Sequence, residues 1–257
     1  MNGQARGPIS DDAAERLLRW ALAFVWLATG ALVLHPAYRS EGTDWLARLG
    51  LGPEWMLGAC AGEVILAAIL FARRTNPWLA LLQGGAIVGF TIILAALSPG
   101  LLVHPLGVLS KNLPLLAAIA TAWLLVGEGF SQRAQWILRI GMAAPWISEG
   151  LFPKLLFLQP MEIEMVSFWG FSATTAGVLI RLVGVAQLLS GVAALLLRGR
   201  PLAWLLGAQL VALALLPIVV TVPLPLAWVH PFGPLTKNVV LLAGTFVLFR
   251  RCTPTSS

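Results

Sequence analysis

The chain alternates long apolar stretches with short polar interruptions. Eight stretches approach the roughly 20 apolar residues that a helix needs to cross a bilayer: 16–34, 54–72, 77–97, 109–127, 136–156, 173–197, 201–222 and 233–249. The interruptions carry turn and helix-start signals. Arg73-Arg74-Thr75-Asn76-Pro77 and Arg198-Gly199-Arg200-Pro201 are short and basic, and their prolines suit the first turn of the helix that follows. The connections after the first and fifth stretches are longer. Residues 43–49 and 161–169 within them predict short amphipathic helices lying at the interface, with Trp45 and Trp169 at headgroup depth. Asp12 and Glu15 predict a capping box opening the first helix, and Pro153 a kink or end in the fifth.

The pattern repeats. His104-Pro105-Leu106-Gly107-Val108-Leu109-Ser110-Lys111-Asn112 returns as His230-Pro231-Phe232-Gly233-Pro234-Leu235-Thr236-Lys237-Asn238, 126 positions later. Trp26 and Gly30 match Trp146 and Gly150, Arg19 matches Arg139, Arg74 matches Arg198, and Gln83 matches Gln209. A repeat of this length defines architecture. It predicts an all-α integral membrane protein of eight transmembrane helices, built as two tandem four-helix bundles, 16–127 and 136–249. The joining linker is 128–135, with a polar N-terminal tail 1–15 and a C-terminal tail 250–257. Four is an even number, so both units enter from the same side, and a parallel pseudo-two-fold along the membrane normal relates them.

Composition places the chain in lipid. It is 58% hydrophobic and 11% charged, whereas soluble domains carry about 25% charged residues. The net charge of +6 sits on residues flanking apolar stretches, which makes them topology anchors and not a nucleic-acid surface. One side receives 11 Lys and Arg residues and the other 5. The positive-inside rule then predicts a multi-pass protein of a bacterial-type inner membrane with both termini cytoplasmic. Both His-Pro phrases, Glu149 and Lys154 fall toward the outer side. The polar, acidic N-terminus shows no cleavable signal pattern. Cys60 and Cys252 are too far apart in sequence to suggest a disulfide framework or a metal site.

Charge inside lipid is costly and calls for partners. Glu63 lies midway along the second stretch and Arg181 two turns into the sixth; an Arg181–Glu63 pair across the repeat interface would neutralise both. In the His-Pro phrase, Pro and Gly predict a re-entry turn, and Ser110 or Thr236 a cap on the next helix. Lys111 and Lys237 then sit near a helix N-terminus, which disfavours cations and calls for an anion. Asn112 and Asn238 close each phrase. Glu149 and Lys154 have no counterparts in the first unit, so they point to one site in the second, with His230, Lys237 and Asn238; Glu149 pairing with Lys154 or Lys237 is the structural alternative. In that reading His104, Lys111 and Asn112 support the fold. His104 and His230 lack further metal ligands nearby, so no metal site is predicted. Gln83 and Gln209 are expected to bond across helices.

The His230–Asn238 phrase, the Trp146…Glu149-Gly150…Pro153-Lys154 stretch and Arg181-x-x-Gly184-x-x-Gln187-x-x-x-Gly191 resemble the DoxX-like family of four-helix membrane proteins, here as two units. Gln187 stands where the resemblance leads one to expect Glu, while Glu63 keeps the carboxylate in the first unit. The resemblance implies a membrane subunit or accessory protein of a quinone-linked oxidoreductase system, with quinone as the cofactor, the bilayer and a redox partner protein as partners, and self-association open. A small-solute or proton-coupled transporter and a non-catalytic scaffold are the alternatives.

Overall fold

The computed structural model describes residues 9–252. Residues 1–8 and 253–257, most of the two expected tails, lie outside that range. Among the described residues the chain is helical, with no strand. The helices are α1 (Asp11–Ala31), α2 (Pro36–Arg48), α3 (Glu54–Ala72), α4 (Pro77–Leu97), α5 (Asn112–Gly127), α6 (Gln132–Gly150), α7 (Pro160–Ser167), α8 (Ala173–Leu196), α9 (Gly199–Thr221) and α10 (Asn238–Cys252). A π-helical turn, Leu151–Leu156, continues α6 and contains Pro153, where the sequence predicts a kink or an end.

Among the described residues, five segments are long and apolar enough to cross a membrane: α1 extended to Leu34, α3, α4, α8 and α9. The other three expected spans fall short for identifiable reasons. α5 is apolar but 16 residues long, α10 has 15 residues and ends in Arg250 and Arg251, and α6 carries Arg133, Arg139 and Glu149. These helices are shielded by protein. α5, α6 and α10 pack on one another, and α1 packs on α5 and α10. The outer helices cover them in matching pairs, with α3 on α1, α8 on α6, α4 on α5 and α9 on α10. Half of the apolar window of α1 is buried, against 17–28% in α3, α4, α8 and α9. The peripheral helices therefore present apolar side chains outward, and the shorter, more polar ones occupy the middle.

Small residues allow the closest contacts. A methyl group added at Gly30 would lie 2.7 Å from the Cys60 carbonyl oxygen, and one at Gly150 would lie 2.6 Å from that of Gly184. The repeat-related glycines thus bring α1 onto α3 and α6 onto α8 backbone to backbone. At the far end of each contact a matching arginine reaches loose carbonyls. Arg19 donates to Leu70 and Phe71, and Arg139 to Ala194 and Leu197. Free carbonyls at a helix C-terminus favour a cation.

Both segments expected to be short helices are helical, as α2 and α7, although α2 begins at Pro36, earlier than the Trp-bearing segment, and α7 ends at Ser167, before Trp169. Tyr38, Met56 and Cys60 form a small cluster that holds α2 to α3. The capping box is replaced. Ser10 caps α1 by accepting from Ala13 N–H, which leaves Glu15 free to turn inward, where it pairs with Arg19 at 2.9 Å and accepts from Thr75. The glutamines bond across helices as expected. Trp26 Nε1 donates to Gln83 Oε1 at 3.2 Å, and Gln209 Nε2 to Ser190 Oγ at 2.9 Å.

Candidate functional site

The two His-Pro phrases are exchanged between the units. Each forms a turn at a glycine of positive φ, +70° at Gly107 and +51° at Gly233, where a side chain would be strained. A Cβ at Gly107 would collide with Glu149 of the second unit, and one at Gly233 would lie 3.0 Å from Thr29 of the first. The lysines complete the exchange. Lys111 Nζ donates to Pro234 O at 3.1 Å, and Lys237 Nζ to Val108 O at 3.0 Å. Positions 108 and 234 are repeat equivalents, so each ammonium holds the same carbonyl of the other phrase. The carbonyls partly replace the water that these buried cations lose.

A cavity of about 460 Å³ opens where the first phrase meets the second unit. Its walls are mostly apolar, from α8, α9 and α7, with Trp146 and Trp169 among them. Its polar lining is Lys111, Glu149, Lys154, Glu162, Gln187 and Asn238. The two cations and two carboxylates leave this lining with no net formal charge. Lys154 Nζ lies 2.6 Å from Glu162 Oε1 and also donates to the Glu149 carbonyl. Burial pushes the Glu162 carboxyl above its usual value, and the ammonium beside it opposes that shift. Ser110 donates to Glu149 Oε1 at 3.1 Å. Three oxygens here are buried without a hydrogen-bond partner: Glu162 Oε2, Gln187 Oε1 and Asn238 Oδ1.

The equivalent place in the first unit carries bulkier groups. There Trp45 packs edge-on against Phe232, with ring centroids 5.1 Å apart, over a cluster of Leu94, Leu101, Val108 and Leu109. At the matching positions on the cavity side stand smaller groups: Leu106 for Phe232, Val220 for Leu94 and Ala227 for Leu101. The two phrase-ending asparagines follow the same division. Asn112 accepts from Lys237 at 2.7 Å and donates to Thr91 Oγ1 at 2.8 Å. Asn238 has Pro217 at the position of Thr91 and makes no side-chain hydrogen bond among the described residues.

A model of the DoxX-like family matches the chain twice, over residues 23–120 and 143–246. The chain belongs to the DoxX-like family. The two matches coincide with the two units and leave the joining segment between them. Comparison with curated proteins and with solved structures finds no match.

Within this DoxX-like chain the structure divides the expected site residues. Glu149, Lys154 and Asn238 share the cavity, joined by Lys111 of the first phrase, which the sequence assigns to support. His230, Lys237, Glu63 and Arg181 do not line it. The Arg181–Glu63 pair is not formed. Arg181 is exposed on α8 and has no ion pair among the described residues, because α8 packs on α6 and α3 on α1. The cation that acts on Glu63 is Lys237, and one carboxylate oxygen of Glu63 is buried without a hydrogen bond. The Glu149 carboxylate bonds Ser110, not Lys154 or Lys237. Ser110 and Thr236 do not cap the next helices, since Ser110 turns to Glu149 and Thr236 to the Gly233 carbonyl.

Sequence reasoning passed over Glu162 and Gln187 as cavity residues. The signal for Glu162 was one acidic residue on the inner face of an amphipathic segment. The two histidines meet across the phrases, ring centroids 5.8 Å apart. Each Nδ1 accepts the N–H two residues on, at Leu106 and Phe232, so in the neutral ring Nε2 carries the proton. His230 Nε2 lies 3.5 Å from Glu41 Oε1. Burial, with Lys111 nearby, lowers His104 to about 4. Burial, with His104 and Lys237 nearby, lowers His230 to about 4.

Proposed function

We propose that this chain is a ligand-binding subunit or accessory protein of a quinone-linked oxidoreductase system, crossing the membrane eight times with both termini cytoplasmic. The observation that carries the reading is the 460 Å³ cavity with apolar walls and a compact polar end. Cavities of several hundred Å³ with a few polar groups suit one small ligand. Mostly apolar walls favour a molecule that partitions into lipid, and a polar end fixes its orientation. α5, α6 and α10 join the five long apolar segments as spans, because packing against several other helices shields their polar positions from lipid. The parallel pseudo-two-fold is supported by the matched helix contacts and by the reciprocal Lys111 and Lys237 bonds. Residues lining the cavity hold and orient the bound headgroup, and Glu149 and Lys154 manage a proton beside it.

Gentle purification followed by mass spectrometry and a reduced-minus-oxidised optical spectrum tests this. The expected result is a co-purifying quinone with a redox difference signal. Protein that carries no apolar molecule and transfers no electrons to added quinone would refute it.

A further inference from the structure

The reading of the cavity as a ligand site leaves open what the ligand's polar end is. Resting on that reading, we infer that the side-chain amides of Asn238 and Gln187 form a headgroup subsite for a neutral group bearing carbonyl or hydroxyl oxygens. Asn238 is 7% exposed. Neither amide makes a side-chain hydrogen bond among the described residues, and both line the cavity. Buried polar groups are rarely left in this state. Each amide offers a donor beside an acceptor, so by rotating it serves a carbonyl oxygen through N–H or a hydroxyl through C=O.

For Asn238 the repeat shows that the vacancy is local, whereas Gln187 and its counterpart Glu63 each keep one buried oxygen without a hydrogen bond. Asn112, the counterpart of Asn238, is satisfied at both ends by Lys237 and Thr91. Asn238 has lost that hydroxyl to Pro217, which also lines the cavity. Gln187 replaces the carboxylate that Glu63 supplies in the first unit. The substitution removes a charge and keeps hydrogen-bonding capacity. The charged groups already compensate one another, two cations against two carboxylates, with Lys154 bound to Glu162. An anionic headgroup would disturb that balance, and a neutral one does not.

The test uses the full chain in lipid nanodiscs and two probes with the same ten-carbon tail, decylbenzoquinone and decyl phosphate, read against empty nanodiscs. The wild type should bind decylbenzoquinone saturably and decyl phosphate at least about tenfold more weakly. Asn238→Leu and Gln187→Leu should each weaken decylbenzoquinone binding about tenfold, the scale of one hydrogen bond. Both should keep or raise Tm, because an unpartnered buried amide contributes nothing to the fold. Pro217→Thr should weaken binding several-fold without altering either amide, by giving Asn238 the partner that Asn112 has. Equal binding by wild type and variants, equal binding of decyl phosphate, or failure of Asn238→Leu to fold would overturn the subsite while leaving the cavity reading intact. Failure of the wild type to bind either probe would overturn the cavity reading, and the subsite with it.

Discussion

On one flank of the molecule Trp45 closes against Phe232, and Asn112 is bonded at both ends. On the equivalent flank Trp169 and Leu106 line a cavity, and Asn238 is bonded at neither. The backbone plan is shared, so the difference lies in a few side chains. Phe to Leu, Leu to Val, Leu to Ala and Thr to Pro remove volume and one hydroxyl. Closely packed interiors do not absorb such losses without a void. The two flanks thus differ in side-chain bulk, one packing Trp45 on Phe232 and the other lining a cavity. Reciprocal lysine bonds hold the two flanks together, and each phrase reaches the opposite unit through its glycine turn and its lysine.

Lys154→Met should give the largest effect. It leaves the buried Glu162 without its cation, at a cost of about 3 kcal/mol, and should lower Tm in detergent sharply. Lys154→Met combined with Glu162→Leu should recover most of the loss. Among the described residues the closed flank has no equivalent lysine–glutamate pair, Tyr38 standing 124 positions before Glu162, so the same treatment has no counterpart there.

Next in size, Asn112→Leu should destabilise by about 2 kcal/mol, because it removes a partner from both Lys237 and Thr91. The matching change at Asn238 should cost nothing. Equal losses at the two positions, measured by thermal unfolding, would erase the proposed asymmetry.

At neutral pH the last effect is the smallest, because it emerges only on acidification, and it belongs to both phrases equally. His104 and His230 are lowered to about 4 from the usual 6.5. Between those values the unfolded chain binds more protons than the folded one. Their contribution to stability is therefore complete above about pH 6.5 and lost as pH falls toward about 4. His104→Gln with His230→Gln should flatten that part of the Tm–pH profile relative to wild type. A profile unchanged by the double substitution would contradict the neutral pair.

Much of the fold was legible in the sequence. Apolar length marks the helices, the repeated phrase marks the duplication, and Pro with Gly marks the re-entry turn. Trp-bearing segments mark α2 and α7. What the sequence could not convey is which unit a turn faces. The phrase 104–112 belongs to the first unit by adjacency, yet Gly107 and Ser110 meet Glu149. For that reason Lys111 reads as support when it lines the cavity, and His230 and Lys237 read as site residues when they do not. The Lys154–Glu162 pair was hidden for a related reason. The π-helical turn and α7 fold back together, a relation that no helical spacing encodes. Arg181 and Glu63 suggested a pair only because their repeat positions combine, whereas α3 and α8 pack on separate flanks.

Native mass spectrometry of wild type and Leu106→Phe addresses the central claim most directly. The substitution gives the open flank the ring that Phe232 supplies to the closed one. The wild type is expected to retain one neutral, mostly apolar molecule per chain, and Leu106→Phe to lose it while its Tm in the ligand-free state holds or rises. Equal retention by both proteins, or no retained molecule in the wild type, would contradict the claim that the second unit was opened to hold a ligand.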